Sequence, residues 1–156
     1  MKKTNAIREL DKERIPYKII EYEVDENDVS AIAVSIRTGQ DITNIFKTLV
    51  LLDEKKEMVI ACIPGADNID LKKLAKLVNT KKVEMIPMKD LFAMTGYVRG
   101  GCSPIGIKRK HRTYMHKSAL SRDKILLSGG LKGIQVEINP KDLINYLNII
   151  IGDIVV

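Results

Sequence analysis

The feature that most constrains this chain is the way its apolar runs of strand length are grouped. Phe46-Lys47-Thr48-Leu49-Val50-Leu51-Leu52 and Glu57-Met58-Val59-Ile60-Ala61-Cys62-Ile63 are separated only by the polar stretch Asp53 to Lys56. Further on, Arg112 to His116, Lys124 to Leu127 and Ile134 to Ile138 follow one another with no helical pattern between them. Consecutive parallel strands need a crossover of a dozen or more residues, usually a helix. Strands in runs therefore exclude a doubly wound parallel sheet and predict hairpins in a mixed α/β fold. The expected architecture is one mixed, strongly curved sheet with helices around it.

The helices announce themselves by their ends. Thr4 caps a segment with Ala6, Ile7 and Leu10 on one face, and Pro16 closes it. Tyr17 to Val24 reads as a strand. Ser30 caps Ala31 to Arg37, and Gly39 stops it. Asp70 opens a helix with Leu71, Leu74, Ala75 and Val78 at helical spacing. Lys81 to Met85 reads as a short strand, and a brief helix from Pro87 and Asp90 stops at Gly96. Asn139-Pro140 opens the last helix, and the apolar tail Ile149 to Val156 is expected to dock on the sheet. With 156 residues, no repeat and no linker, one domain over residues 1–156 is expected.

Charge is unevenly placed. The net charge of +6 lies wholly in residues 107–124, which hold seven cations against Asp123 alone. Lys108, Lys110 and Arg112 alternate along an expected strand, which would put them on one face. A concentrated basic segment suits a polyanion such as nucleic acid; it also suits a solvated strand edge. Two cysteines, Cys62 and Cys102, cannot build a disulfide framework or a zinc cage, and no apolar run reaches the length of a membrane helix. The start Met1-Lys2-Lys3-Thr4-Asn5 leads into charged residues instead of a signal-type apolar stretch. A reducing cytoplasmic setting, no metal and no cofactor are the expectation.

No HExxH, Walker loop, GxGxxG or CxxC occurs, and no base for a nucleophile can be picked out. Both histidines, His111 and His116, read as surface residues within the basic segment. Cys102 is the one plausible nucleophile, with Arg99 and Lys108 near enough in sequence to favour a thiolate. Lys47 is a charge inside an apolar strand; it faces either solvent or a pocket, where it would be a fixed cation for a phosphate or a polarised carbonyl. Seven of the ten glycines lie between Gly96 and Gly133. Two glycine-rich segments, Thr95 to Gly106 and Ser128 to Gly133, could present backbone N–H groups to an oxyanion or be ordinary tight turns.

Phe46-Lys47-Thr48-Leu49-Val50, Lys81-Lys82-Val83-Glu84-Met85, Thr95-Gly96-Tyr97 through Gly106, and Ser128-Gly129-Gly130 through Pro140 together resemble the YbaK family. These are free-standing aminoacyl-tRNA deacylases, related to the editing domain inserted in bacterial prolyl-tRNA synthetases. The resemblance runs from about Ile15-Pro16-Tyr17 to Asp142-Leu143. It implies a mixed α/β fold around a curved, barrel-like sheet, and removal of misloaded cysteine from proline tRNA, with cysteine tRNA as a further substrate. It also implies work beside prolyl-tRNA synthetase. It implies Lys47 as the catalytic strand lysine, and Tyr22 and the Gly-x-x-x-Pro loop (Gly100, Gly101, Ser103, Pro104) at the substrate. The Ser-Gly-Gly turn (Ser128, Gly129, Gly130) joins them. Lys108, Lys110 and Arg112 become the expected tRNA contacts. Gln135 stands where some relatives carry an acidic residue. In this family the substrate's own thiol is thought to attack its ester carbonyl, so Cys102 would only line a loop whose backbone, at Gly101, approaches the ester. Three alternatives stay open here: a non-catalytic tRNA- or synthetase-binding module, a hydrolase using Cys102, and a deacylase for alanine or serine.

Overall fold

The computed structural model describes residues 3–156; Met1 and Lys2, the start of the basic N-terminal run, lie outside the described residues. Helix α1 spans Asn5–Lys12. The hydroxyl of Thr4 accepts from Ile7 N at 3.1 Å and donates to Gly129 O at 2.5 Å, so the helix start is tied to the Ser128–Gly130 turn. Its face of Ala6, Ile7 and Leu10 is fully buried, and each of the two larger side chains contributes about 1.5–3 kcal/mol by leaving water. Strand β1 (Tyr17–Glu21) stops short of the expected Val24. Its partner β7 (Ile134–Ile138) ends where Glu21 meets Ile134, and the partner chain turns away at Gly133.

Helix α2 (Ala31–Thr38) begins at the Ser30 cap, whose hydroxyl accepts from Ala33 N at 3.2 Å, and ends at Gly39 with φ 69°. Strands β2 (Phe46–Asp53) and β3 (Met58–Pro64) form the expected antiparallel hairpin. Its turn is held by Asp53, whose Oδ1 accepts from Lys55 N and Glu57 N, both at 2.9 Å. Helix α3 (Leu71–Val78) is capped by Asp70, β4 is Val83–Met85, and α4 is Leu91–Thr95, ending at Gly96 with φ 81°. Strands β5 (His111–His116) and β6 (Ile125–Ser128) follow, and then β7; Asn139 caps α5 (Pro140–Leu147), and β8 (Ile150–Gly152) closes the order.

The mixed α/β reading holds. The barrel-like single sheet is corrected to two sheets, in the orders β1-β7-β6 and β4-β2-β3-β5-β8. The first is antiparallel; in the second, β3-β5 and β5-β8 are parallel. Only an isolated bridge, Ile45 to Leu126, joins them among the described residues. β4 covers β2 only at Leu51–Asp53 and leaves the rest of that edge open to β6. The other half of that edge faces β6 with one bridge, and a barrel needs continuous pairing. The main core fills the space between the sheets under α1 and α5, a second lies under α3, and a small third cluster of Val34, Ile45 and Leu126 lies under α2. No helix among the described residues is long and apolar enough to cross a membrane.

The tail docks as expected, and it buries His116, which corrects its reading as a surface residue. The imidazole is 7% exposed and its Nδ1 lies 3.3 Å from Ile154 N, in position to accept. Burial pushes its pKa below the ordinary value near 6.5, against the opposing pull of Asp153. The unfolded chain therefore takes up this proton more readily than the folded one. Stability from this site is complete above about pH 6.5 and is lost as pH falls through that value. Thermal unfolding followed from pH 7.5 to 5 should show a falling midpoint, flattened in His116→Gln; equal slopes in the two proteins would refute this.

Candidate active site

The seam between the two sheets opens into a cavity of about 600 Å³. It exists because the first half of β2 has no strand on its outer side. Both faces of that strand reach the opening: Phe46 and Thr48 from one, Lys47 and Leu49 from the other. Tyr22 from the end of β1, Ser128 from β6, and Arg99, Gly100 and Cys102 from the glycine loop complete the wall with the loop Glu26–Ala31. Of the expected site residues, Lys47, Tyr22, Gly100 and Ser128 thus come together, although 106 positions separate the outermost two.

Charge in the cavity is partly spent. Lys132 bonds Glu26 at 2.7 Å across the mouth. Asp28 accepts from Ser30 N at 3.2 Å. Lys47 and Arg99 have no carboxylate within ion-pair distance among the described residues, which leaves two fixed cations facing the space. Ser128 Oγ accepts from Gly130 N at 3.1 Å and so shapes its own turn. The region therefore offers positive charge and a glycine backbone but no ordered acid–base pair.

Gly101, Ser103, Pro104, Gly129 and Gly130 do not line the cavity. They form the layer behind it. Ser103 is fully buried and its hydroxyl accepts from Ile105 N at 3.2 Å. A Cβ on Gly101 would lie 3.1 Å from Lys132 N and 3.2 Å from Leu131, so crowding there falls on the neighbouring loop and not on a bound ester. At Gly100, φ is +84° and a Cβ would meet Val29 at 3.0 Å, which requires glycine.

Cys102 lines the cavity, but burial pushes its thiol up to about 12, outweighing a hydrogen bond with Thr95. The expected help from Arg99 and Lys108 does not prevail, and the group stays a neutral thiol near pH 7. Cys62 is fully buried, its Sγ 4.0 Å from Thr48 Oγ1.

The basic segment is rearranged. β5 begins only at His111 because β3, its partner, begins at Met58, so Lys108 and Lys110 lie in an exposed loop and share no strand face with Arg112. The Arg112 guanidinium instead donates to the buried Asp53 carboxylate at 2.7 Å. Lys110 and Arg112 line a separate cavity of about 460 Å³ with Arg109, His111, Lys56 and Met58. The acidic loop Glu26–Asp28, Thr48, Arg99, Lys132 and Gln135 were not marked as site residues from sequence. For the acidic loop and Lys132 the one signal is polarity beside the glycine turns, whereas Thr48 belongs to the strand-lysine motif, Arg99 stands out as a cation near Cys102 and Gln135 as the position where some relatives are acidic.

The structure thus sets a cationic cavity, lined in part by Gly65 and Gly100, at the seam of a two-sheet mixed α/β fold. The chain belongs to the aminoacyl-tRNA editing domain family, whose profile matches residues 26–146. It is 44% identical over 146 residues to EbsC of Enterococcus faecalis, named as a candidate Cys-tRNA(Pro)/Cys-tRNA(Cys) deacylase. That match covers 94% of this chain and 89% of the relative. Among solved structures, a candidate trans-editing enzyme for prolyl tRNA synthetase superposes with TM-score 0.84 at 20% identity, covering 100% of this chain and 99% of that one. The hypothetical protein APE2540 superposes with TM-score 0.90 at 18% identity, covering 98% and 100%. At such identities these two structures establish the shared fold.

Proposed function

We propose that this protein is a trans-editing deacylase that removes misloaded cysteine from tRNA(Pro), and from tRNA(Cys), in the cytoplasm. The observation that carries the reading is the convergence of Lys47, Tyr22, Gly100 and Ser128 on one cavity. The named activity of the 44% identical relative supports it. An aminoacyl ester is already activated, so the demand is placement of the 3′ end and stabilisation of charge on the carbonyl oxygen. The cavity's cations and glycine backbone suit that demand. The substrate thiol supplies the nucleophile: its sulfur bonds to the ester carbonyl carbon, the bond to the ribose oxygen breaks, and the thiol proton ends on that oxygen. Prolyl-tRNA synthetase is the partner beside which such clearing is useful.

The test is release of labelled amino acid. Cysteine should leave cysteinyl-tRNA(Pro) faster than proline leaves prolyl-tRNA(Pro), and a seryl ester should react slowly because a hydroxyl is the poorer internal nucleophile. Cys102→Ala should keep most of this activity. Equal decay of all three esters sinks the reading; loss of turnover in Cys102→Ala, or a trapped cysteinyl-enzyme, replaces substrate assistance with an enzyme nucleophile.

Lys108 and Lys110 are proposed as contacts to tRNA phosphates. Neutralising both should lower the salt dependence of tRNA binding by about one unit of slope per lost contact. An unchanged slope places these lysines in plain solvent.

A further inference from the structure

Gln135 is the polar side chain in the cavity that the fold itself does not account for. It lies in β7, paired with Ser128 of β6 and Ile20 of β1. Its strand neighbours Ile134 and Val136 face the main core, so Gln135 faces the other way, toward the side of the sheet covered by α2. It is 6% exposed, it lines the cavity, and its Oε1 has no hydrogen-bond partner. A buried amide oxygen in that state is unfavourable, and packing alone would place an apolar side chain there.

Three other acceptors around the cavity are already engaged, and unlike the Gln135 oxygen none of them is a buried atom without a partner. Glu26 holds Lys132, Asp28 holds Ser30 N, and Ser128 Oγ holds Gly130 N. Gln135 is also neutral. It can accept a hydrogen bond without forming an ion pair with Lys47 or Arg99, which leaves both cations free for phosphate and carbonyl oxygen. A half-turn of its carboxamide exchanges oxygen and nitrogen within the same envelope, so the oxygen can be presented to a ligand.

An acceptor so placed calls for a donor on the group that penetrates deepest. In an aminoacyl-tRNA entering by its 3′ end, that group is the amino acid, and the donor every cysteinyl ester carries is its primary α-amine. We infer that Gln135 is a specificity-determining residue whose carboxamide oxygen accepts a hydrogen bond from the α-amine of the bound aminoacyl group. The inference rests on the editing reading above, but it concerns recognition and not turnover.

Two stable analogues test it by calorimetry. One is 3′-amino-3′-deoxyadenosine acylated with cysteine through an amide; the other carries 3-mercaptopropionate, which lacks only the α-amine. Wild-type protein should bind the first at least about tenfold more tightly, the usual scale for a hydrogen bond from a charged donor. Gln135→Met should shrink that preference to within about twofold, whereas Gln135→Glu should keep it because an acceptor oxygen remains. The methionine variant should unfold no earlier than wild type, since it removes an unpartnered oxygen; Gln135→Leu serves if it does not fold. A preference that survives in the apolar variant, vanishes in Gln135→Glu, or is missing from wild type overturns the assignment. Selective binding by a protein that leaves cysteinyl-tRNA intact sinks the deacylase reading alone.

Discussion

Replacing Lys47 with alanine is expected to lower kcat/KM on cysteinyl-tRNA(Pro) at least tenfold while the protein stays folded. Tenfold corresponds to roughly 1.4 kcal/mol of lost transition-state stabilisation, a modest demand on a positioned cation. The position explains the size of the effect. Lys47 pairs in register with Ile63 on the part of β2 that β4 leaves uncovered, and its side chain lines the cavity. No carboxylate among the described residues pairs with it, so its charge is available to the substrate. Half-buried at a sheet edge, it is not needed for packing, and Lys47→Ala should unfold near the wild-type temperature. The division of the loss identifies the role. A fall in kcat places the ammonium at the developing oxyanion, and a rise in KM places it at a phosphate. Wild-type turnover in the folded variant would show that Lys47 only faces solvent.

The largest effect on stability should come from Asp53, through Asp53→Ala. This carboxylate is 5% exposed and serves three donors: Lys55 N, Glu57 N and the Arg112 guanidinium. Truncation orphans two turn N–H groups and releases Arg112, with an expected cost of about 2–4 kcal/mol. Asp53→Asn keeps an acceptor for the turn and gives up the charge, so it should cost about half as much. Arg112 is itself partly exposed, and its pairing contributes the smaller share. Hydrogen bonds from Glu57 and Lys55 and the nearby Arg112 hold the carboxyl below its usual range despite burial. Its contribution is therefore present above the ordinary carboxylate pKa near 3.8 and is lost as pH falls below it. Denaturant midpoints of the two variants at pH 7 and pH 3 measure this; equal midpoints for wild type and Asp53→Ala at pH 7 would disprove it. The same experiment bears on RNA binding. Arg112→Ala should shift stability with little change in the salt slope, in contrast to Lys108 and Lys110.

The editing motifs were legible in sequence because they are short and local. Phe46-Lys47-Thr48, the Gly100–Pro104 loop and the Ser128–Gly130 turn are each contiguous, and their order along the chain carried the family resemblance. Half of the site was not legible. The loop Glu26–Asp28 reads as an ordinary polar connection, and only the fold sets it opposite Lys132, 106 residues away. The placement of Gly101 and Ser103 behind the wall, not on it, likewise depends on which loop packs against which.

What the sequence determined by itself are the helix caps and stops and the β2–β3 hairpin. Thr4, Ser30, Asp70 and Asn139 each cap the helix they precede. Gly39 and Gly96 end helices in the left-handed conformation, and the β2–β3 hairpin follows from two apolar runs and a four-residue turn. These are choices among backbone conformations made within a few residues, where propensity and side-chain hydrogen bonds dominate. Only the tertiary structure decided that the strands divide into two sheets, that β2 keeps a bare edge beside β6, and that Arg112 turns to Asp53 instead of outward. Each of these depends on partners distant in the chain, and each is set by which apolar faces can be buried together and which buried charge must be answered. Such energies belong to the assembled core and have no counterpart in any short window of residues.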